Sequence, residues 1–534
     1  MRGRADPQVA DQVLRYISNA RWFAGKGRQV QFRSLTPLPW LTEVSDFFST
    51  AAPPGVRFEI AEVAYPAEED PESGSTAPGG AEHDAESPDE SQISEPPEMI
   101  LESSPSSTEY YHLAISYRTA PHTELHHAEI GRFTDSDLGP VIAYDAAQDP
   151  EACRVILSAL LAGRKLRSPD SEARFNASNT SGLRPDLRSR PFTGQQSNTS
   201  VMLGDTAILK LFRRLELGRN LDIEMHTALN AAGSSDVASL FGWIEGSWVS
   251  SGQQLDADLG MVIEQLADAV DGWELALESL RARNASMKIE TAKINPAKIN
   301  IGSDFAAEAE ALGRALADIH SALRSSFPTA KMPGARTAMI MMDRLYEAAR
   351  IAPALAPHVP GLRRCFDELR SEILDTQRVH GDFHLGQTLH TPSGWKITDF
   401  EGEPAKTIAE RRLPDSVWRD VAGMLRSFDY AAASVPAAHS PAWAAQCRAA
   451  FLRGYLDGEL DQASATMLRA YEADKAIYEV VYEMRNRPEW IEIPLRAIAE
   501  FAAQNQDSNQ VVPGESASPT NKRGELVSRT EEQE

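Results

Sequence analysis

Two short segments in the C-terminal third of the chain carry carboxylates at spacings that suit phosphoryl transfer. The first, residues 379–387, contains His-Gly-Asp-x-His, and the second, residues 395–401, ends in Asp-Phe-Glu. Transfer of a phosphoryl group from ATP requires a carboxylate that orients and deprotonates the attacking hydroxyl, oxygen ligands for Mg²⁺, and a lysine that neutralises phosphate charge. Asp382 and Asp399 are the candidate carboxylates.

The spacing within these segments assigns a role to each residue. Asp382 stands where protein kinases place the catalytic base in H-R-D-x-x-x-x-N, and Gln387 lies at the position of the metal-binding Asn. Asp399 begins Asp-Phe-Glu in place of Asp-Phe-Gly, so we predict that Gln387 and Asp399 bind the metal. His380 is predicted to bond to backbone and hold the loop, and His384 to contact phosphate or to pack. Two carboxylates without a joint role are the simpler alternative.

A lysine on an apolar strand favours the joint role. Lys210 follows Ala207-Ile208-Leu209, which is typical of the V-A-I-K strand of kinases, although such a lysine taken alone is more often on the surface. Glu224, on the next predicted helix, is expected to pair with Lys210, with Glu216 as the alternative.

Two other segments are predicted to contact the nucleotide. Residues 194–200 occupy the place of the phosphate-covering loop but lack G-x-G-x-x-G; their short polar side chains and backbone N–H groups can hold phosphate. An ordinary polar turn is an equal alternative for this stretch. Residues 264–266 leave an apolar strand where a hinge offers backbone groups to adenine. The candidate nucleotide contacts are Ser197, Asn198, Thr199, Glu264 and Leu266.

Charge and composition exclude several classes of protein. The 534 residues include 53 Lys and Arg and 77 Asp and Glu, for a net charge of −24, which repels nucleic acids and anionic membranes. A nucleotide bound through a metal ion remains compatible with this charge. The three scattered cysteines argue against a disulfide framework or a cysteine zinc site. Without an apolar run of spanning length or a signal-like start, the protein is expected in the cytoplasm.

The charge is unevenly distributed along the chain. Residues 66–109 contain thirteen Asp and Glu and no Lys or Arg, which predicts a disordered insertion. Without this segment the net charge is −24 + 13 = −11. Residues 504–534 are predicted to be a disordered tail, and residues 167–190, rich in Ser, Asn, Arg and Pro, a loop between lobes.

The remaining pattern predicts a β-rich part followed by a helical part. Residues 7–20 have helical spacing, and residues 30–60 and 110–117 are expected to form one small sheet that the insertion interrupts. Residues 201–212 predict a tight hairpin, and most of the chain after residue 303 is predicted helical. Two lobes with a cleft between them follow from this order.

Longer strings of the sequence resemble the actinobacterial maltokinases, which belong to the aminoglycoside-phosphotransferase-like branch of the protein-kinase-like fold. The similar strings are residues 21–28, 196–200, 209–214, 271–274, 380–404, 419–430 and 475–490. The resemblance implies an α+β, bilobal protein-kinase-like fold with an N-terminal cap subdomain. The implied domains are a cap at 1–118 containing the 66–109 insertion, a β-rich nucleotide lobe at 119–265, a helical lobe at 266–503 with the catalytic loop and sugar site, and the tail at 504–534.

The resemblance also implies an activity. Maltokinases transfer the ATP γ-phosphate to the anomeric hydroxyl of maltose, giving maltose 1-phosphate for α-glucan (glycogen) synthesis. Asp382 is then the catalytic base, with Gln387 and Asp399 holding Mg²⁺. A trehalose-to-maltose isomerase is an implied protein partner by resemblance alone.

One predicted helix carries residues suited to a sugar acceptor. Lys475, Tyr478, Tyr482 and Arg485 recur on one helical face. Without the resemblance, a solvent-facing helix with tyrosines in the core is favoured; with it, a sugar site is favoured. The candidate substrate residues are His384, Lys475, Tyr478, Tyr482, Glu483 and Arg485. Arg419 and Asp420 are expected either to brace the catalytic loop or to be only a helix N-terminal pair.

Three alternatives stay open at this point. The first is a kinase of a related acceptor, such as glucosamine or an aminoglycoside, although an amine would call for acidic groups where Lys475 and Arg485 stand. The second is a pseudokinase-like nucleotide-binding module, which the intact Asp382, Asp399 and Lys210 disfavour. The third is a scaffolding subunit acting through the acidic insertion.

Overall fold

The computed structural model describes residues 7–48, 53–65, 108–192, 198–292, 305–404 and 406–503, with the backbone alone at 284–292. The acidic segment predicted to be disordered lies outside these residues except for its last two positions. The predicted tail and most of the predicted phosphate loop, including Ser197, also lie outside them. Within the described ranges, every helix is too short or too polar to cross a membrane.

An antiparallel sheet with a helix packed on it forms the first part of the chain. Its strands follow the order β1-β2-β3-β5-β4. The apolar residues Val13 and Ile17 of the helix are buried in the core of this unit. The elements are α1 (Pro7–Asn19), β1 (Gln31–Pro37), α2 (Val44–Phe47), β2 (Gly55–Ala64), β3 (Thr108–Arg118), β4 (Glu129–Asp135) and β5 (Gly139–Asp145).

The pairing of β2 with β3 confirms that the acidic segment interrupts a single sheet, and it corrects two boundaries. Thr108 and Glu109 pair with Ala64 and Val63, so they belong to β3 and not to the insertion. The sheet also continues past residue 118, because Ile115 of β3 pairs with Asp145 of β5. The cap sheet therefore extends through β5.

A second sheet, of seven strands in the order β6-β7-β12-β13-β10-β9-β8, forms the nucleotide lobe. The β9–β10 hairpin turns at Gly204, whose φ of +59° suits glycine, and this confirms the predicted hairpin. The elements are α3 (Pro150–Leu161), β6 (Lys165–Arg167), β7 (Ser171–Ala177), β8 (Ser189–Pro191), β9 (Thr199–Leu203), β10 (Ala207–Leu211), β11 (Arg214–Leu215), α4 (Leu221–Ala231), β12 (Leu240–Ser250) and β13 (Gln253–Glu264).

The prediction of a loop at 167–190 is confirmed for residues 178–188 and is wrong for the strands of the stretch. β7 lies in this stretch and pairs along β12 from Gly242 to Trp248. Its alternate residues Ala173 and Phe175 are buried in the core of the nucleotide lobe, and that burial stabilises a strand in spite of the polar composition around it. β8, at the edge of the same sheet, also lies in this stretch.

The rest of the described chain is mainly helical, as predicted, and has its own hydrophobic core. Within the part predicted to be mostly helical, residues 373–376 form a strand. The elements are β14 (Val270–Asp271), α5 (Gly272–Ala292), α6 (Phe305–Ser326), β15 (Ala330–Pro333), α7 (Gly334–Ile351), α8 (Val359–Leu369), β16 (Ile373–Thr376), β17 (Thr388–Thr391), β18 (Gly394–Ile397), α9 (Ile408–Arg411), α10 (Trp418–Ser434), α11 (Ser440–Tyr455), α12 (Gln462–Asn486) and α13 (Glu492–Ala503).

The β17–β18 hairpin brings the two chemistry-bearing segments together. Gln387 immediately precedes β17 and Asp399 follows β18, and the Thr398 N–H donates to the Gln387 carbonyl oxygen at 3.0 Å. Asp382 lies in an irregular loop between β16 and this hairpin.

Candidate active site

The loop that carries Asp382 is held from below by a buried aspartate. Asp420, at the start of α10, accepts hydrogen bonds from the backbone N–H groups of His380 and Gly381, both at 2.8 Å. His320 donates its Nε2–H to the same carboxylate at 2.9 Å. Gly381 has a φ of +88°, a conformation that side chains disfavour, so this position requires glycine. Of the two predicted roles for Asp420, bracing the catalytic loop is the one that the structure shows.

His380 has the structural role predicted for it. Its Nε2–H donates to the Thr398 carbonyl oxygen at 2.9 Å, and its Nδ1 accepts from the Asp382 N–H at 3.4 Å. The ring therefore ties the Asp382 loop to the segment that carries Asp399. Because both ring nitrogens are engaged by backbone groups, His380 fixes the relative position of the two segments.

Asp382 faces a lysine across the cleft floor. Lys475 Nζ, on α12, lies 3.2 Å from Asp382 Oδ1. Burial alone would raise the pKa of Asp382, but the positive charge of Lys475 outweighs it and holds the pKa below its ordinary value. The carboxylate is thus ionised at neutral pH, the state in which it can accept a proton from a hydroxyl group.

His384 caps the short turn that leads to Gln387. Its Nδ1 accepts the Gly386 N–H at 3.1 Å, which leaves Nε2 for another partner. Burial is the largest influence on this ring and lowers the pKa of His384, so the imidazole is neutral at pH 7. A neutral ring with Nε2 protonated is able to donate to an oxygen atom of a substrate.

Lys210 meets an acidic residue of α4, but it is not Glu224. Lys210 Nζ lies 2.9 Å from Asp222 Oδ2, and both groups are buried. The prediction of a Lys210–Glu224 pair is wrong, and the alternative Glu216 instead lies 3.9 Å from Arg411. Two residues along a helix correspond to a turn of about 200°, so Asp222 and Glu224 point to different sides of α4. Asp222 also accepts the Phe400 N–H at 3.3 Å, which ties Lys210 to the Asp-Phe-Glu segment.

The surroundings of Lys210 carry more negative than positive charge. The carboxylates of Asp399, Glu401 and Asp222 all act on this ammonium group and raise its pKa against the opposing influence of burial. Burial, together with Asp399 and Asp222, also raises the pKa of Glu401 to about 7, even though Lys210 lowers it. Asp399 has a φ of +65°, a rare conformation for a residue with a side chain, and such strain is concentrated at functional sites.

The donors at this place fit Mg²⁺. The Asp399 carboxylate and the Gln387 side-chain oxygen are hard oxygen ligands, and Mg²⁺ typically takes one or two carboxylates and completes its shell with phosphates and water. The surplus of negative charge around Lys210 favours a cation here. In the described ranges no group of three or more His, Cys, Asp or Glu side chains is arranged to bind a metal, so a cage made of protein alone is not formed there.

The remaining predicted nucleotide contacts lie at the edge of the same lobe. Asn198 Nδ2 donates to Glu401 Oε1 at 3.4 Å, and Thr199 Oγ1 accepts from Arg213 Nε at 2.8 Å. The Glu264 carboxylate accepts from Ser239, so its side chain is already engaged and only its backbone can face a base. Leu266 follows the end of β13 and is half-buried.

α12 presents the predicted acceptor face beside Asp382. Lys475 and Tyr478 are half-buried, whereas Tyr482 and Arg485, further along the same face, are exposed. The rings of Tyr478 and Tyr482 stack with centroids 6.1 Å apart, and Lys475 Nζ lies 5.3 Å from the Tyr478 ring centre. The face therefore extends from Asp382 outward to solvent.

Glu483 does not belong to this face. It lies on the buried side of α12, where its carboxylate accepts a hydrogen bond from the Tyr430 hydroxyl at 3.1 Å and two from Arg487. Its carboxylate is used within the protein, so its assignment as a substrate residue is wrong. Glu403, which was not predicted, is the acidic neighbour of this face, because its charge acts on both Lys475 and Tyr478. The repeated acidic residues of Glu401-Gly402-Glu403 were the available signal.

Comparison with known proteins agrees with this architecture. Residues 92–149 match the family model of the maltokinase N-terminal cap domain. A glucosamine kinase of Streptacidiphilus jiangxiensis is 26% identical over 364 residues, covering 63% of this chain and 78% of the relative. A glucosamine kinase of Mycolicibacterium smegmatis is 27% identical over 338 residues, covering 58% of this chain and 78% of the relative.

Solved structures show the same fold. A glucosamine kinase in complex with glucosamine, ADP and inorganic phosphate superposes with a TM-score of 0.57 at 17% identity, covering 92% of this chain and 98% of that chain. Another crystal form of a glucosamine kinase gives 0.54 at 20% identity, with 74% and 89% covered. The chain has the bilobal protein-kinase-like fold with an N-terminal cap. Its residues 92–149 are similar to the cap domain of maltokinases, and these comparisons support a sugar kinase of this fold.

Proposed function

We propose that the chain is a maltokinase, which transfers the γ-phosphate of ATP to the anomeric hydroxyl of maltose and so supplies maltose 1-phosphate for α-glucan synthesis. The observation that carries this proposal is the contact of Asp382 with Lys475, at the inner end of the Tyr478–Tyr482 face. It places an ionised carboxylate beside a surface suited to a sugar. The maltokinase-type cap supports maltose as the acceptor.

Asp382 acts as the base in this proposal. Its carboxylate accepts a hydrogen bond from the anomeric hydroxyl and takes the proton as that oxygen bonds to the γ-phosphorus, while the bond to the β,γ-bridging oxygen breaks and ADP leaves. The lowered pKa of Asp382 keeps it ionised before the step. The hydrogen bonds of Asp420 and His380 hold the Asp382 loop in place, so the carboxylate stays oriented toward the reacting hydroxyl group.

The other groups bind and orient. Lys210, fixed by Asp222, neutralises phosphate charge, and Asn198 and Thr199 lie where the triphosphate is expected. Gln387 and Asp399 would hold Mg²⁺, which supplies neutralisation of the charge on the phosphate oxygens when bound. Tyr478 and Tyr482 offer ring faces to the apolar faces of the sugar, and Lys475 and Arg485 donate to its hydroxyl groups.

Glucosamine is the second candidate acceptor. The two curated relatives are both named glucosamine kinases, and the Glu403 carboxylate beside Lys475 and Tyr478 provides a negative charge for an amino group. The cationic Lys475 at Asp382 opposes this alternative, because an ammonium group close to it would be repelled.

The test is ADP release with Mg²⁺ and ATP against maltose, glucose, glucosamine and an aminoglycoside, followed by ³¹P and ¹³C NMR of the product. We expect maltose to give the highest kcat/KM and the phosphate to be on the anomeric oxygen. Asp382→Asn should lower kcat by about 10²–10⁴-fold while the protein stays folded and binds ATP. The exposed Asp375→Asn is the matched control.

If kcat/KM is higher with glucosamine than with maltose, glucosamine replaces maltose as the proposed acceptor. Near-normal turnover by Asp382→Asn would remove Asp382 from the role of base. Binding of ATP without transfer to any of the four acceptors would favour the pseudokinase alternative.

A further inference from the structure

Glu224 stands between the lobes in contact with two arginines of the helical lobe. Its Oε2 lies 3.1 Å from Arg378 Nη2 and 3.9 Å from Arg412 Nε. Arg378 lies just before the His-Gly-Asp sequence, and Arg412 lies beyond the Asp-Phe-Glu segment. We refer to Glu224, Arg378 and Arg412 as the Glu224 bridge.

Both arginines have further contacts that fix them in place. The guanidinium group of Arg378 is buried and lies over the Phe327 ring, 4.9 Å from its centre. Arg412 donates to the carbonyl oxygen of Arg219, which precedes α4. The Glu224 bridge is therefore an ordered arrangement of partly buried charges and not a mobile surface pair, and such arrangements are costly to break at one partner.

α4 contacts both chemistry-bearing segments through different residues. Asp222 holds Lys210 and accepts the Phe400 N–H, while His226 packs edge-on against the Phe400 ring with centroids 5.5 Å apart. Asp222 and His226 thus contact the segment that carries Asp399. Glu224 contacts the segment that carries Asp382 through its ion pair with Arg378. The distance between Lys210 and Asp382 depends on both contacts.

We propose that Glu224 is a positioning residue: through Arg378 and Arg412 it sets the closed arrangement of the two lobes in which Asp382 meets the nucleotide held by Lys210. It touches neither substrate nor nucleotide. This inference rests on the proposed phosphoryl transfer. It differs from the predicted pairing of a helix glutamate with the strand lysine, because Asp222 holds that position and Glu224 is free to join the lobes.

The experiment compares Glu224→Gln with wild type and with Glu310→Gln, which removes a surface ion pair to Arg314 far from the cleft. We expect Glu224→Gln to lower kcat about tenfold or more, because small displacements of reacting groups have large effects on rate. The dissociation constant for ADP, from equilibrium titration, should stay within about twofold, since the Lys210–Asp222 pair is intact. Glu310→Gln should match wild type.

A double-mutant cycle with Arg378→Gln tests whether the two residues act through their shared contact, and the fall in kcat at unchanged ADP affinity and folded fraction is the result that a merely structural pair would not give. If the Glu224 bridge positions Asp382, the double variant should be no slower than Arg378→Gln alone, because the same contact is lost once. Multiplying effects in the double variant would overturn the proposal. So would a kcat of Glu224→Gln within twofold of wild type, or a loss that follows a lower folded fraction measured by circular dichroism at the assay temperature.

The acceptor for these measurements is whichever member of the four-compound panel wild type uses best. If maltose is the one acceptor of the panel that is not phosphorylated, the maltokinase proposal is contradicted, but the ratio of the kcat of Glu224→Gln to that of wild type can still be measured. If no acceptor is used, the same ratio is taken from the slow hydrolysis of ATP by water. An unchanged ratio there overturns the role of Glu224.

Discussion

Lys475 contacts both the proposed base and the proposed acceptor surface, so its charge has two consequences. Its ammonium group meets Asp382 at 3.2 Å and lies beside the Tyr478 ring. Burial would lower the pKa of Lys475, but Asp382, Glu403 and Glu479 raise it above its ordinary value. The lysine is thus charged throughout the range of physiological pH, and this charge is the largest factor that keeps Asp382 ionised.

The substitution Lys475→Met is expected to shift the acid limb of the pH–rate profile. Asp382 works in its ionised form, so kcat/KM falls as pH drops through the pKa of Asp382. Because that pKa is below its ordinary value, wild-type kcat/KM should be nearly level down to about pH 5. Removing the positive charge raises the pKa of Asp382, and the limb should move upward by about one pH unit.

The measurement is kcat/KM for the acceptor between about pH 4 and 8, at constant ionic strength. Lys331→Met, at an exposed lysine of β15, is the matched control and should keep the wild-type limb. An acid limb that stays at the same pH in Lys475→Met would show that another group controls it.

At the scale of single residues, the sequence indicates which side chains could take part in phosphoryl transfer better than it indicates which side chains contact each other. Asp382, Gln387 and Asp399 were chosen by spacing, and the structure brings Gln387 and Asp399 together through a short hairpin. The partner of Lys210 could not be chosen in this way. Asp222 and Glu224 are both acidic and both lie in the first turn of α4, and only the direction of each side chain from the helix distinguishes them.

At the scale of elements, buried ion pairs fix the rotation of α12 about its axis. Glu472 and Glu479 lie on its inner side and meet Arg448 of α11 and Arg426 of α10, and Glu483 on the same side accepts the Tyr430 hydroxyl of α10. With the acidic stripe anchored inward, the neighbouring stripe with Lys475 and Tyr478 is turned toward Asp382. Helical spacing in the sequence identified the tyrosine stripe, but it assigned Glu483 to the same side because spacing alone does not tell which of two polar stripes is buried.

The substitution Glu479→Gln tests this anchoring. Arg426 is nearly fully buried and donates to Glu479 from Nε and Nη2, at 3.0 and 2.8 Å. Removing the carboxylate charge leaves a buried guanidinium poorly compensated, so the free energy of unfolding should fall by about 3 kcal/mol. Because α12 carries the acceptor face, the KM for the acceptor should rise more than the KM for ATP.

Urea denaturation gives the free energy of unfolding, and initial rates give the two KM values. The exposed Glu489, in the turn after α12, provides Glu489→Gln as the control. Equal increases in both KM values would mean that Glu479 stabilises the lobe without orienting the acceptor face.

At the scale of the whole molecule, the contacts that join the cap to the nucleotide lobe include a buried charged group. Arg213, after β10, donates to both carboxylate oxygens of Asp145, at the end of the cap sheet, and to Thr199, at the start of β9. Tyr16 of α1 donates to the same carboxylate at 2.5 Å. The strand that begins next to Asn198 is therefore fixed to the cap.

The sequence predicted that the acidic segment interrupts one sheet, because the strand patterns on either side of it are complete. It placed the end of the cap too early. Alternation is clear up to Tyr117, whereas β4 and β5 follow a turn and are recognisable as part of this sheet only from their pairing with β3. Long-range pairing is not encoded in local periodicity, so boundaries of this kind are found only in the fold.

The substitution Arg213→Lys should therefore affect nucleotide binding from a distance. A lysine carries its donors on a single nitrogen and cannot reproduce the separate contacts of Nε with Thr199 and of Nη2 with Asp145, so the tie of β9 to the cap is weakened while the charge is kept. We expect the free energy of unfolding to fall by about 2 kcal/mol and the KM for ATP to rise about fivefold, with the KM for the acceptor unchanged. Arg214→Lys, at the exposed neighbour that pairs with Glu109, is the matched control. An unchanged KM for ATP together with the loss of stability would show that the cap supports the fold of the nucleotide lobe without setting the position of β9.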